Sequence, residues 1–380
     1  MFSPSAKWFP TGESADIMKD IIQYIDRSTY VILYRLYCDS PAAILPEEIC
    51  GKPVAELADH AFSDQPSLLY QTWEIKTAFF RDGLWLAQGG PGEGRSAVRP
   101  PELCGRSLKS VRLPDSLKGV GNYAFYGCDR LEEISFPEGL CRIGSGLFNS
   151  CPSIRRLIFR QGTAAPLSDA PAPPETCAAS SGQNAPGGPM TPPLLQEVLM
   201  TISHEVEAVV LGPSGREQYR LLFPEYYEEP RENTPGRIIQ TIWHGTGYQY
   251  RQCFLDRRLE FSGYDRLLPA ARAQESPLTV VKIALYRLKS QAGLTEESRE
   301  LYTDCLRRLS PQALDFMMTD RETDLTVWLR LLEDTGFYTS DLIDMMIDFF
   351  TKAGRGDASA YLMDLRRRKF APVRRQKYEF

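Results

Sequence analysis

Residues 108–130 (LKSVRLPDSLKGVGNYAFYGCDR) and 131–153 (LEEISFPEGLCRIGSGLFNSCPS) superimpose without a gap, at a period of 23 residues. A fixed period of this length constrains the fold more than any local propensity does. No single unit can bury its own apolar face, so each must bury it against its neighbours. Leu108, Leu131 and Ile154 share one column, and Val111, Ile134 and Leu157 a second. Pro114/Pro137, Leu117/Leu140, Val120/Ile143, Gly121/Gly144, Phe125/Phe148 and Cys128/Cys151 fill further columns.

Within a unit, L-x-x-V-x-L alternates buried and open positions, the period of a short strand. A proline closes that strand, since it has no N–H to give a ladder. The second half spaces its apolar residues by three or four after a glycine, which predicts a helical or 3₁₀ turn. A degenerate copy lies upstream in ILPEEICGKPVAELADHAFSD (44–64), with a G-K-P-V insertion. IRRLIF (154–159) opens another unit, and LQEVLM (195–200) and VEAVVL (206–211) repeat the strand half.

These units resemble the BspA-like leucine-rich repeat family, over residues 44–64 and 108–159 and more weakly at 195–211. The resemblance implies a right-handed solenoid that binds ligands through its repeat surface, often at cell exteriors. It also implies that the cysteine column packs inside. The fold expected is therefore an α+β repeat: a short leucine-rich-repeat solenoid, a parallel strand row plus short helical turns, followed by an all-α helical-hairpin domain.

The flanking segments complete this plan. Residues 1–40 suit an N-terminal cap, with a helical stripe in ADIMKDIIQYID (15–26) before a β-rich run (29–37). Repeats span 41–163, interrupted by a hairpin near 73–87 that turns at Asp82–Gly83. Residues 164–193 hold eight prolines and seven alanines, a composition that predicts a disordered loop. Residues 194–235 carry the last repeat strands, with EYYEEPRE (225–232) as a solvated connector. From 236 to 380 the apolar period becomes 3.6, giving helices at 277–290, 296–309, 311–319, 323–335, 340–353 and 357–370, joined as antiparallel hairpins. Ser276, Thr295, Ser310, Ser340 and Asp357 suit N-cap positions, and Gly336 and Gly354 suit C′.

Composition narrows the function. Apolar residues at 43% and charged residues at 24% exclude wholesale disorder, collagen and a disulfide miniprotein. A net charge of −5 argues against a protein that binds nucleic acid through overall charge. The C-terminal RRRKFAPVRRQKYEF nonetheless holds seven basic residues against one acidic. Arg366, Arg367, Arg368 and Lys369 form a candidate basic patch. Cations at a helix end meet the dipole favourably without any partner, and a contact with acidic protein, nucleic acid or an anionic membrane is the second reading.

No C-x-x-C pair, Cys/His cluster or phosphate loop is present, so no metal or cofactor is expected. Nine cysteines, no apolar leader after a basic start, and no transmembrane segment predict a cytoplasmic protein. The three histidines are His60, His204 and His244. Only His244, in WHGTGYQYRQC beside Cys253 and Asp256, suggests an enzyme, and aromatic–glycine runs more often make tight packing at a domain junction. The expected function is a non-enzymatic scaffold for a protein or peptide. Its candidate concave face is Ser110, Arg112, Glu133, Ser135, Arg156, Ile158, Glu197 and Leu199. The alternative is an exported BspA-like adhesin.

Overall fold

The computed structural model describes residues 20–65, 67–70, 72–81, 83–87, 100–162, 191–233 and 238–370. The chain divides into two compact units between Leu267 and Leu268.

The first unit contains β1 (Ile21–Asp26), β2 (Val31–Tyr37), β3 (Ala42–Ile44), β4 (Glu48–Ile49), β5 (Lys52–Leu57), β6 (Ile75–Arg81), β7 (Leu84–Leu86), β8 (Ser110–Arg112), β9 (Gly119–Val120), β10 (Glu133–Pro137), β11 (Arg142–Ile143) and β12 (Arg156–Arg160). After helix α1 (Leu195–Leu199) come β13 (Val206–Leu211), β14 (Glu217–Phe223), β15 (Tyr227–Asn233) and β16 (Ile238–His244). Helix α2 (Gly247–Arg251), β17 (Phe254–Leu255), β18 (Arg258–Leu259) and helix α3 (Phe261–Arg266) complete it.

Two rows of strands carry the repeat. In one sheet, β3, β8, β10, β12 and β13 run parallel, and β14 closes the row antiparallel to β13. Ala43, Val111, Ile134, Leu157 and Ala208 stand in one register column, all buried. The second row, β11, β9, β5 and β2, is also parallel, and β1, β6 and β7 extend it antiparallel. The second half of the units at 108–153 is thus a two-residue strand followed by tight turns with bonds of the 3₁₀ type, from Cys128 N–H to the Phe125 carbonyl and from Cys151 N–H to that of Phe148, where spacing predicts a helical or 3₁₀ turn. At the glycine the chain is also held by cross-repeat bonds: Gly121 N–H donates to the Leu57 carbonyl at 3.0 Å and Gly144 N–H to that of Val120 at 2.8 Å.

Two glycines are required by this stacking. A Cβ on Gly121 stands 2.6 Å from the Ala58 carbonyl carbon, and one on Gly144 stands 2.5 Å from that of Gly121. Beyond them, Asp59 Oδ1 accepts the Asn122 N–H at 2.7 Å and Asn122 Oδ1 accepts the Ser145 N–H at 2.9 Å. Phe62, Phe125 and Phe148 stack at 5.3 and 5.8 Å between ring centres. The cysteine column donates backwards, Cys128 Sγ to the Phe62 carbonyl at 3.3 Å and Cys151 Sγ to the Phe125 carbonyl at 2.9 Å. Both are buried free thiols, and burial pushes that of Cys151 up to about 12.

Several expectations are corrected. Residues 21–26 form a strand rather than the end of a helix. Ile22, Tyr24 and Ile25 are buried where β1 lies between β2 and β6, and sheet pairing overrides the local stripe. LQEVLM is helical at Leu195–Leu199, burying Leu195, Val198 and Leu199 on one face. Residues 225–232 enter strand β15, paired antiparallel with β16. Helical structure therefore does not begin at 236. Residues 1–19, the Gly-rich run at 89–94, Asp82 and most of the Pro/Ala-rich segment (164–190) lie outside the described residues.

The second unit contains α4 (Leu268–Gln274), α5 (Pro277–Ser290), α6 (Glu296–Arg308), α7 (Ser310–Thr319), α8 (Leu325–Asp334), α9 (Ser340–Lys352) and α10 (Gly356–Phe370). Ser276 Oγ accepts the Thr279 N–H at 3.1 Å, with Pro277 at the first helical position. Thr295 and Asp324 cap α6 and α8 in the same way. Thr339, not Ser340, caps α9, and Leu309 stands at the cap position of α7 without a side-chain bond. Asp357 lies inside the first turn of α10. Trp328 is fully buried and donates from Nε1 to Asp320 Oδ2 at 3.0 Å.

Candidate functional site

In a parallel row whose inner columns are buried, the alternate residues face outward. Register gives two such columns. One is Ala42, Ser110, Glu133, Arg156 and Glu207; the other is Ile44, Arg112, Ser135, Ile158 and Val209, to which β14 adds Arg220. Six of the expected face residues, Ser110, Arg112, Glu133, Ser135, Arg156 and Ile158, therefore stand on these columns, although Ser135 is buried, as are Val209 and Arg220 further along its column. Glu197 and Leu199 do not. Both lie in α1, Leu199 fully buried and Glu197 paired with Arg257 at 3.2 Å. Glu207 and Val209 take their register positions, because VEAVVL rather than LQEVLM is the strand that follows β12.

The charges on this face neutralise one another in sequence. Arg156 reaches Glu133 at 3.1 Å and Glu207 at 3.5 Å, while Arg220 reaches Glu207 at 3.4 Å and Glu217 at 2.8 Å. Acid and base thus alternate from β10 to β14. Arg160 lies across the row, donating to Ser135 Oγ at 2.8 Å, to the Leu113 carbonyl at 2.6 Å and to Asp115 Oδ1 at 2.6 Å. Burial lowers the Arg160 pKa below the usual guanidinium value, against the opposing pull of Asp115. At the open end of the row, on β3, Ile44 is 50% exposed; Ile158, on β12 three strands away, is half-buried. Sequence reasoning missed Arg160, Arg220, Glu207 and Glu217. The period alone points to Arg160, two positions beyond Ile158, whereas Arg220 sits on the antiparallel β14, outside the repeat.

The other candidates have internal partners. Arg366 pairs with Asp344 at 2.9 Å, Arg367 with Asp364 at 3.0 Å, Arg368 with Glu333 at 3.1 Å and Asp364 at 2.8 Å, and Lys369 with Glu333 at 3.5 Å. A hydrogen bond from Tyr361 and the two cations hold the Glu333 carboxyl below its usual range. His244 Nε2 bonds Glu229 Oε2 at 2.8 Å and its ring stacks on Tyr227. Cys253 donates to the Gln249 carbonyl at 3.4 Å, and burial pushes its thiol up to about 11. This is the wrong direction for a thiolate nucleophile.

The motif around His244 has a structural role. Gly245 and Gly247 bring the chain against residues 224–225, where a Cβ on either meets the Glu225 carbonyl oxygen at 2.6 and 2.7 Å. Arg251, fully buried, donates to the carbonyls of Pro224 at 2.6 Å, Gly247 at 3.0 Å, His204 at 2.8 Å and Leu199 at 3.2 Å. Burial brings its pKa down to about 10. Among the described residues no cluster of His, Cys, Asp or Glu could hold a metal ion, and no helix is long and apolar enough to cross a membrane.

Residues 102–165 match the family model described as "BspA type Leucine rich repeat region (6 copies)". This is a BspA-type leucine-rich-repeat segment, and its described residues carry β8 to β12 of the two parallel rows. A search of solved structures finds the crystal structure of the T. pallidum leucine rich repeat protein, TpLRR. It is 20% identical, with a TM-score of 0.17, and the match covers 36% of this chain and 68% of that one. No curated protein matches the chain.

Proposed function

We propose that the chain is a non-enzymatic scaffold that binds a protein or peptide on the outer face of its solenoid strand row. The observation that carries this reading is the mixed character of the two alternate columns, which hold a self-neutralised acid–base series from β10 to β14 and the exposed Ile44 on β3 at the other end. A surface for nucleic acid needs cations free for phosphate, and Arg156, Arg160 and Arg220 each engage a carboxylate on the protein itself. A protein partner suits apolar anchors rimmed by satisfied polar groups. The leucine-rich-repeat class supports protein binding in general. The helical second unit is read as an accessory all-α domain whose basic helix end is spent on internal ion pairs. The free thiols of Cys128 and Cys151 favour a reducing cytoplasm.

The test is affinity purification from the soluble fraction of the native cell, quantified by mass spectrometry. Ile44→Glu combined with Ile158→Glu is expected to lower specific capture by about tenfold or more, as loss of central anchors does. Arg142→Ala, on the opposite row, is expected to leave it unchanged. Equal capture by all three proteins, or recovery only from outside the cell, would overturn the reading.

A further inference from the structure

Strands β15 and β16 pair with each other and, among the described residues, with no third strand. Seven residues of each run in unbroken register from Tyr227↔His244 to Asn233↔Ile238. A lone two-stranded ribbon is marginal in water, and each of its outer edges is a row of unused main-chain groups. The two edges differ. Strand β15 carries Glu228, Glu229, Glu232 and Pro230, the features that blunt an edge. Strand β16, IIQTIWH, carries no Asp, Glu, Lys, Arg, Pro or Gly and is rich in β-branched and aromatic residues. Elsewhere among the described residues the end strands are shorter or charged: β3 and β7 have three residues, β11 has two, and β14 carries Glu217 and Arg220.

The register identifies which groups of β16 face outward. Pro230 has no N–H, so Pro230↔Thr241 is a non-hydrogen-bonded pair. In such a pair both residues direct N–H and C=O away from each other. Thr241 therefore turns its main-chain groups to the open edge, and Ile239 and Trp243, two residues either side, do the same.

We propose that β16 is the contact edge of a symmetric dimer, pairing antiparallel with β16 of a second copy of this chain about a twofold axis at Thr241. That register sets Thr241 opposite Thr241 and Ile239 opposite Trp243 of the second copy. It makes about six main-chain hydrogen bonds from three bonded pairs. Threonine–threonine and aromatic–β-branched pairs are the favourable cross-strand combinations, and no charges of like sign face each other. The contact is isologous and closes at two copies, because the edges left outside are those of β15 with its proline and glutamates.

Sedimentation velocity on the full chain tests this. At about 100 μM the protein is expected to be mostly dimer and to dissociate on dilution. Thr241→Pro removes only an outward N–H, so the β15–β16 ladder survives; Thr241→Glu sets two carboxylates face to face. Each is expected to weaken the dimer by about tenfold or more with an unchanged circular dichroism spectrum. Gln240→Glu, one residue off the axis, is expected to disturb it less. A wild-type chain monomeric at that concentration overturns the proposal, leaving β16 to a foreign strand. A dimer indifferent to both Thr241 variants, or one in which Gln240→Glu does equal damage, overturns it as well.

Discussion

Arg251 is a buried cation whose guanidinium is met by four main-chain carbonyls from α1, its own helix and two loops, with the ring of Tyr226 5.0 Å away. Arginine alone has the forked, fixed donors for this geometry; a lysine supplies one point of charge. Removing the side chain leaves several buried carbonyls without donors, each costing about 1–3 kcal/mol. Arg251→Met is accordingly expected to destabilise the first unit by about 3–5 kcal/mol, and Arg251→Lys by a comparable amount, read from urea unfolding curves. A lysine variant of wild-type stability would show that the carbonyls are satisfied in another way. In the sequence, W-H-G-T-G-Y-Q-Y-R-Q-C draws the eye to its histidine and cysteine, yet its structural centre is the arginine. Carbonyl partners leave no trace in the side-chain pattern, so this role was not readable there.

At the scale of the element, the repeat unit depends on backbones that touch. Gly144→Ala drives a Cβ into the Gly121–Asn122 peptide, which has no side chain to swing aside. The expected loss is about 3 kcal/mol or more. Gly354→Ala, where φ is +71° but space is open, is expected to cost about 1 kcal/mol. Similar losses at the two sites, by thermal or chemical unfolding, would contradict the stacking. The period made the inner columns legible, and with them the register positions of six residues on the alternate columns. Elements off the period were harder. LQEVLM fits a strand written L-x-x-V-x-Φ through Leu195, Val198 and Met200 and a helix face at i, i+3 and i+4 through Leu195, Val198 and Leu199, and only burial, with Leu199 inside and Met200 exposed, decides between them. Residues 21–26 carry the same ambiguity. The ribbon of β15 and β16 was hidden because acidic residues and a proline at 228–232 resemble a loop until their pairing is known. In the second unit the helices were legible from their apolar spacing, while the caps fixed a boundary only at Ser276 and Thr295; at Ser310 and Ser340 the cap stands one residue earlier, and Asp357 lies inside its helix.

Across the whole first unit, neighbouring coils are not all neighbours in sequence. Ser145 meets Asn122 from 23 residues away, whereas Asn122 meets Asp59 from 63, across the excursion that holds β6 and β7. Closing the longer loop costs about 1 kcal/mol more in chain entropy. Coils 108–160 are therefore expected to assemble first, with the upstream coil joining afterwards. Measured φ-values should be high for Ile134→Val and Leu157→Ala and low for Ile49→Val; the reverse order would refute the sequence of events. During synthesis the upstream strands leave the ribosome well before these partners exist. Strand β3 waits for β8, and β5 for β9. Until then their edges are open to other chains, so these waiting strands are the ones most in need of a chaperone.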